Sequence, residues 1–476
     1  MLPSRTSSGP DIFFYNTLTK KKEKFHSLHG RAVKMYTCGP TVYDYAHIGN
    51  FRAYVFAEIV RRTLEYAGYE VKQVMNITDI GHLVGDGDSG EDKMTAGLKR
   101  EGLDLTLSNM KMLAERYAEA FEEDLKRLNI ELPFTFPRAS EHIPEQIAYV
   151  ETLIGKGYAY ATKDGVYFEV GKFPGYGALG GSASYDHARI AHNPEKRDMR
   201  DFALWKFDEK LGWEAPFGKG FPGWHIECVA MSTKYLGKTF DIHTGGVDHI
   251  AVHHNDEIAE AEAANGKPLA NFWMHGEFIT IEAKRIGKSE GNAVRLYQLE
   301  ERGVSPLAYR YLLLTAHYRQ KMNFTWEAAE AAQTALNRAQ RAYREFPAEG
   351  GRIQDAYREM FREALYDDLN TPEALSIMWN LFRDDGISPE DKRATLYDFD
   401  RVLGIGMRPV EHIEAISRSS AMGPLVIPPE IEAQITEREE ARKAGDFAKA
   451  DKIRDSLTQK GYSVEDTQKG PVVRPI

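Results

Sequence analysis

The order of elements in residues 32–77 narrows the fold more than any other feature of the chain. AVKMYTC, ending at Cys38, is a mostly apolar run short enough for a buried strand, and Gly39-Pro40 turns the chain after it. Val55, Phe56, Ile59, Val60 and Leu64 then recur at helical spacing up to a stop at Gly68, and VKQVMNI follows at once as a second strand. Two strands joined through one helix lie parallel with a right-handed crossover, because a parallel partner is reached only by a long return path. This is the opening of a nucleotide-binding parallel sheet.

One core does not hold the whole chain. At 476 residues it exceeds the roughly 250 to 300 at which single domains stop growing, so roughly two to four domains are expected. An apolar share of 42% and a charged share of 28% are those of an ordinary globular protein, so disorder is not the default. The net charge of -10 argues against a nonspecific polyanion binder, whose affinity rests on Lys and Arg neutralising phosphates, but leaves room for RNA docked on local basic patches. No apolar stretch approaches the roughly 18 residues of a membrane span, and the first residues lack a signal-peptide run, so no membrane association and a cytoplasmic location are expected. In that compartment Cys38 and Cys228 read as free or metal-bound thiols rather than a disulfide.

Beyond the opening, the pattern loosens between residues 81 and 220 into helical stretches such as 107–128, short strands such as GVYFEV and Gly-rich loops, which marks an insertion. The sheet pattern resumes near Phe221, and a short strand at 278–281 precedes a Lys-rich loop. From Ser305 the chain is helical: residues 326–346 are Ala-rich with Thr325 as cap, and a further helical series covers 354–403. Ser, Gly and paired Pro at 418–429 read as a linker into a small tail.

Three constellations carry chemistry. In CGPTVYDYAHIGN, Gly39 lets backbone approach a ligand and His47, Gly49 and Asn50 sit at a helix start, where free amides suit phosphate; capping is the plainer role. Its partner is AKRIGKSEGN, whose Lys284, Arg285 and Lys288 surround Gly287 and can close over a triphosphate, or form a solvated basic turn. The second set is Cys38, Cys228 and the pair His253 and Glu257, which share a helix face at i and i+4 and offer S, S, N and O donors suited to tetrahedral zinc. His254 is the rival imidazole, and isolated cysteines also serve as packing residues. Third, Trp224, His225, His243, Gly245, Gly246, Asp248 and His249 crowd the sequence around Cys228 more densely than a core needs.

Across nearly the whole chain these motifs, with NITDIGHL, FALWK, GKGFPGWHIEC, FDIHTGGVDH, FWMHGEF, LTAHYR, DDLNTPEAL and ARKAGDFAKADKIRD, resemble the bacterial cysteinyl-tRNA synthetases, a class I family. The resemblance implies an α/β fold: a Rossmann-type parallel sheet split by an insertion, then a helical bundle and a small C-terminal anticodon-binding module. It implies the first half of the catalytic domain at 1–125, a connective insertion at 126–220, the second half at 221–304, the helical stem and bundle at 305–417 and the anticodon module at 427–476. His47, Gly49 and Asn50, with Arg285, Lys288 and Ser289, fall on the ATP signatures, and His47, Asn50 and Lys288 take the catalytic part. Cys38, Cys228, His253 and Glu257 fall on the family's Zn²⁺ ligands, one ion per chain, which favours His253 over His254. Gly39, Thr41, Thr78, Trp224, His225, His243 and Asp248 fall on contacts to the substrate cysteine, and Arg442, Phe447, Asp451 and Asp466 on contacts to the anticodon. ATP with Mg²⁺, L-cysteine and tRNA(Cys) are the implied partners of a monomer.

The chain departs from the family pattern at three places. Asn50 stands where the ATP signature has His and so lacks its charge, the loop reads Arg-Ile-Gly-Lys-Ser rather than lysine-methionine-serine-lysine-serine, and the basic residues of the extreme C-terminus are reduced to Arg474. Two further readings remain open at this stage. A related ligase that joins the same adenylate to an amino sugar lacks the tail that ARKAGDFAKADKIRD announces, and a catalytically silent paralogue binding tRNA or cysteine is motivated by Asn50 and the altered loop.

Overall fold

In the computed structural model, Ala32–Thr37 (β1) runs through the centre of a four-stranded sheet, with Glu70–Met75 (β2) on one side and Phe240–Gly246 (β3) on the other; Ala270–Gly276 (β4) lies beyond β3. All three pairings are parallel. The structure describes residues 10–80, 93–181, 193–284, 293–408, 434–438, 441–442, 446–459, 462–467 and 470–475. From β1 the chain moves outward to β2, and from β3 it moves outward the opposite way to β4. Strand order therefore reverses between β1 and β3, where ligands of such sheets bind at the carboxyl ends.

The crossover helices cover opposite faces. Ile48–Tyr66 (α1) buries Phe51, Val55, Ile59 and Leu64 with Met35, Ile242 and Met274, while Trp224–Leu236 (α2) and His253–Asn265 (α3) pack with Tyr36, Val74, Phe240 and Trp273. The apolar spacing legible in 55–64 is thus the sheet-facing stripe of α1. Helix α3 follows no such rule, since it is buried on all sides although it carries His253, His254, Asp256, Glu257 and Glu260. Polar groups withdrawn from water on that scale need partners, and His253, His254, Asp256 and Glu257 find them among one another and the residues of the functional site.

Between the halves of the sheet, Ala159–Ala161, Gly165–Phe168, Phe202–Phe207 and Gly220–Pro222 form an antiparallel sheet in chain order. Phe168, Leu204 and Trp205 of this insertion share a core with α2 and α3. The helix Leu107–Arg127 runs across residue 125 and packs Leu113, Tyr117 and Phe121 into the core of α1.

After β4, Ile279–Ile281 pairs in parallel with Met322–Phe324, and the rest of the first unit is helical: Pro306–Leu314, Trp326–Glu345, Asp355–Tyr366, Thr371–Arg383 and Pro389–Leu403. Thr325 caps the Ala-rich helix, its Oγ1 accepting from Ala328 N at 3.2 Å. These helices are bound to α1 by a fully buried guanidinium. Arg310 meets Glu58 at 2.6 Å and donates to the carbonyls of Leu403, Leu128 and Asn129, which satisfies orphan groups at the ends of two helices. The chain divides into two compact units, Met1–Ser417 and Arg418–Ile476. In the second, Phe447–Gln459 is helical and Tyr462–Thr467 pairs antiparallel with Gly470–Pro475. Among the described residues no helix is long and apolar enough to cross a membrane.

Candidate metal and active site

Both ends of the reversal point deliver donors. The chain leaving β1 places Cys38 over the sheet edge, its N–H bonded to Thr244 O of β3 at 3.2 Å. Helix α2 contributes Cys228 one turn after Trp224, and α3 contributes His253 and Glu257 on one face. The two Sγ atoms, one nitrogen of His253 and one oxygen of Glu257 lie within 4.8 Å of one another, and all four residues are buried. His253 Nε2 is 3.0 Å from Glu257 Oε1 and 3.6 Å from Cys228 Sγ, and Cys38 Sγ is 3.7 Å from Glu257 Oε1. One ion with bonds of about 2.0 to 2.3 Å can reach donors so grouped.

Two neighbouring sets share Cys38. His254 Nε2 lies 3.2 Å from its sulfur, so Cys38, His249, His253 and His254 also converge, as do Cys38, His243, His254 and Glu257. The set carrying both cysteines is the one with His253 and Glu257.

The donors perturb one another's protonation. Burial opposes the charge on Glu257, yet His243 and His253 outweigh it and hold the carboxyl below its usual range. His253 is likewise buried, but Glu257 and the Cys228 thiol hold its pKa well above the ordinary imidazole value. The two thiols diverge. Their mutual hydrogen bond draws Cys228 down against burial, whereas burial and that same contact push Cys38 up. A carboxylate and a thiol inclined to lose its proton, facing an imidazole and a second thiol, form a donor set that a borderline-soft divalent ion fits.

A second layer of side chains orients the first. His225 Nδ1 is 2.8 Å from His253 Nδ1 and His225 Nε2 is 3.1 Å from Asp256, which leaves His253 Nε2 to face the donors. His243 Nε2 holds Glu257 Oε2 at 2.8 Å. Thus His225 and His243, expected at the amino-acid substrate, stand directly against two donors. Burial pushes His249 down to about 4 and pushes His254 and His275 well below the usual imidazole range. Gly245 makes room for them, since a Cβ there would meet His254 at 2.6 Å and His249 at 2.8 Å.

The remaining expected substrate residues border this cluster. Gly39 N donates to Asn76 Oδ1 at 2.8 Å, Thr41 bridges Thr78, and Thr78 Oγ1 donates to Glu227 Oε2 at 2.9 Å. Trp224, half-buried, lies 4.4 Å from His253 ring to ring, and Asp248 is exposed beside His249. At the expected ATP signature His47 caps α1, and its N–H donates to Asn50 Oδ1 at 3.0 Å. The carbonyl end of the Asn50 amide is therefore turned to the helix start. His47 also bridges Arg295, while on the other side Glu282 and Ala283 occupy left-handed backbone (φ 49° and 59°) and Ala283 N is held by Asn323 Oδ1 at 2.7 Å. Arg285, Gly287, Lys288 and Ser289, between these anchors, lie outside the described residues.

In the second unit, Arg442 is helical, Phe447 opens the helix Phe447–Gln459, Asp451 is exposed on it and pairs with Arg454 at 3.2 Å, and Asp466 pairs with Pro471 across the hairpin. Sequence reasoning missed Asn76, Glu227, His275 and Lys93. The ammonium of Lys93 lies 5.1 Å from the Trp224 ring centroid. For Glu227 a signal was present, a carboxylate within one helical turn of both Trp224 and Cys228; Lys93, following a Gly- and Asp-rich stretch, carried none.

Comparison with known proteins agrees with this geometry. Residues 24–334 match the family described as tRNA synthetases class I (C) catalytic domain, 360–384 match the DALR domain, and 426–474 match the cysteinyl-tRNA ligase anticodon binding domain. Among curated relatives, "Cysteine--tRNA ligase 1" of Burkholderia lata is 47% identical over 470 residues, covering 96% of each chain. The "Cysteine--tRNA ligase" of Thermus thermophilus is 41% identical, covering 97% of this chain and 98% of its own. Among solved structures, Mycobacterium tuberculosis methionyl-tRNA synthetase bound by methionyl-adenylate superposes with a TM-score of 0.54 at 16% identity, over 79% of this chain and 90% of that one, a likeness of fold. A parallel sheet that reverses order at a thiol-rich cluster, a class I catalytic domain over most of the chain and an anticodon module at its end converge: the chain belongs to the cysteinyl-tRNA synthetase family of class I ligases, which form aminoacyl-tRNA.

Proposed function

We propose that this protein activates L-cysteine with ATP to cysteinyl-adenylate and transfers the cysteinyl group to the 3′ end of tRNA(Cys), with Zn²⁺ held by Cys38, Cys228, His253 and Glu257 selecting the thiol. The observation that carries the reading is the convergence of four buried S, S, N and O donors at the point where the parallel sheet reverses order. Zinc bound there would supply a thiophilic Lewis acid that takes a thiolate far more readily than an alcohol, a distinction that a simple pocket makes only at about 1 to 3 kcal/mol.

The chain's own groups then do the remaining work. His225 and His243 hold His253 and Glu257 in orientation. Gly39, free of a side chain, lets the chain after Cys38 close on Asn76 beside the substrate, and Trp224 walls the pocket. His47, Gly49 and Asn50 at the start of α1, with Arg285, Lys288 and Ser289, bind ATP with its Mg²⁺, and the charge of Lys288 stabilises the leaving pyrophosphate. Positioning of carboxylate against α-phosphate is the main contribution of such a site. In the tail, Arg442, Phe447, Asp451 and Asp466 read the anticodon by stacking and hydrogen bonds to unpaired bases. We assign 1–125 and 221–304 to the catalytic halves, 126–220 to the connective insertion, 305–417 to stem and bundle, and 427–476 to the anticodon module of a cytoplasmic monomer.

Cysteine-dependent exchange between ATP and pyrophosphate, followed by charging of tRNA transcripts bearing the cysteine anticodon, tests the reading. Exchange without charging would favour the amino-sugar ligase, against which the match at 426–474 counts. No exchange, or equal exchange with serine, would defeat it. For the metal, Cys228→Ser should lose zinc and the preference for cysteine together, and full zinc content in that variant would refute the ligand set.

A further inference from the structure

We propose that Lys93 is a substrate-binding residue whose ammonium holds the carboxylate of the bound cysteine, the group that attacks phosphate; this rests on the function proposed above. The ammonium lies 5.1 Å from the centroid of the Trp224 ring and 6.0 Å from that of Tyr43. Trp224 in turn lies 4.4 Å from the His253 ring, so this cation and a donor residue border the same indole. Lys93 is half-buried there, at the same half-open wall as Trp224.

Packing fixes the helix from which this side chain starts. The helix Lys93–Arg100 buries the adjacent Met94 at 0% exposure and Leu98 at 1%. Gly97 sits so close to its neighbours that a Cβ would meet Leu113 at 2.9 Å and Tyr43 O at 3.0 Å. Arg100 donates to Tyr43 O at 2.8 Å and pairs with Asp44 at 3.3 Å. Tyr43 and Asp44 belong to the segment that runs from Cys38 to His47, so the loop that carries Cys38 also packs against the helix of this cation.

The charge suits the reaction. A cysteine with its sulfur at the donors has its carboxylate three bonds away, and that carboxylate must approach a triphosphate of like charge. A fixed cation beside it offsets the repulsion and orients the attacking oxygen. Contact with an indole face holds an ammonium without neutralising it, unlike a pairing with Asp or Glu.

The test measures binding of L-cysteine and of cysteamine, which keeps the thiol and amine but lacks the carboxylate, to the zinc-loaded full chain by calorimetry. Lys93→Met should weaken cysteine about 10- to 100-fold and cysteamine by less than about 3-fold, with Lys93→Arg recovering most of the loss. Equal weakening of both ligands would make Lys93 a packing residue, and unchanged cysteine affinity with only tRNA charging reduced would assign it to RNA; either overturns the proposal. Exchange by the unaltered protein decides the functional reading separately, since the binding comparison does not depend on turnover.

Discussion

Gly39→Ala probes the narrowest point of the site. Gly39 follows the expected ligand Cys38, and a Cβ added to it would lie 1.6 Å from the carbonyl oxygen of Asn76 and 2.8 Å from its carbon. Carbon–oxygen contacts of this kind do not fall below about 3.0 Å, so the backbones must part by about 1.4 Å. They cannot part freely. Thr37 is in register with Met75 just before, Gly39 N is bonded to Asn76 Oδ1, and Thr41 bridges Thr78 just after. The displacement therefore passes to Cys38, while metal sites tolerate only about 0.2 Å of error in ligand distance. We expect a loss of stability of about 1 to 3 kcal/mol, typical of overpacking, and a fall of about 100-fold in cysteine-dependent exchange, the effect of a misplacement near 1 Å. Zinc retained after dialysis against a chelator, measured beside exchange and thermal unfolding, reads all three. An alanine variant that keeps its zinc as long as the parent and exchanges within about twofold of it would refute the argument.

Three further outcomes follow from the geometry. His253→Asn should lose zinc while His254→Asn retains it, because the set with both thiols uses His253; elemental analysis showing the opposite order would reassign the ligand. Burial pushes the Asp79 carboxyl up to about 6, against an ordinary value near 3.9, so the folded state holds its proton longer than the unfolded one and stability falls as pH rises from about 4 through 6. Asp79→Asn keeps an acceptor for Ser140 N and should flatten that slope in urea titrations, gaining about 2 to 3 kcal/mol at pH 7; an unchanged slope would refute the assignment. Glu58→Gln leaves the buried Arg310 and Arg62 without their shared counter-charge and should cost about 3 to 5 kcal/mol, lowering the urea midpoint without changing zinc content. Arg310 and Arg62 outweigh burial to hold Glu58 below the usual carboxylate range, so its contribution is fully present above that range and is lost as pH falls through the depressed value.

Local periodicity carried the helices and strands whose pattern answers to one neighbouring surface. The stripe from Val55 to Leu64, the strand before Cys38 and the cap at Thr325 were all legible because each depends on residues within a turn or two. Helix α3 was not legible in that way, since burial on every side leaves no polar face, and its His and acidic residues obey the site rather than an amphipathic rule. At the expected ATP signature, the sequence shows that Asn50 lacks a charge; the fold adds that its carbonyl oxygen is taken up by the helix start.

The sequence alone determined which chemistries were possible: two thiols, an imidazole and a carboxylate one helical turn apart, and a strand-helix-strand opening that commits the chain to a parallel sheet. Which histidines stand behind the donors, and that Lys93 reaches Trp224, were decided only by tertiary structure. The reason is physical. Spacing fixes directions within one element, whereas distances between elements follow from how buried surfaces of α1, α2 and α3 close on the two faces of the sheet.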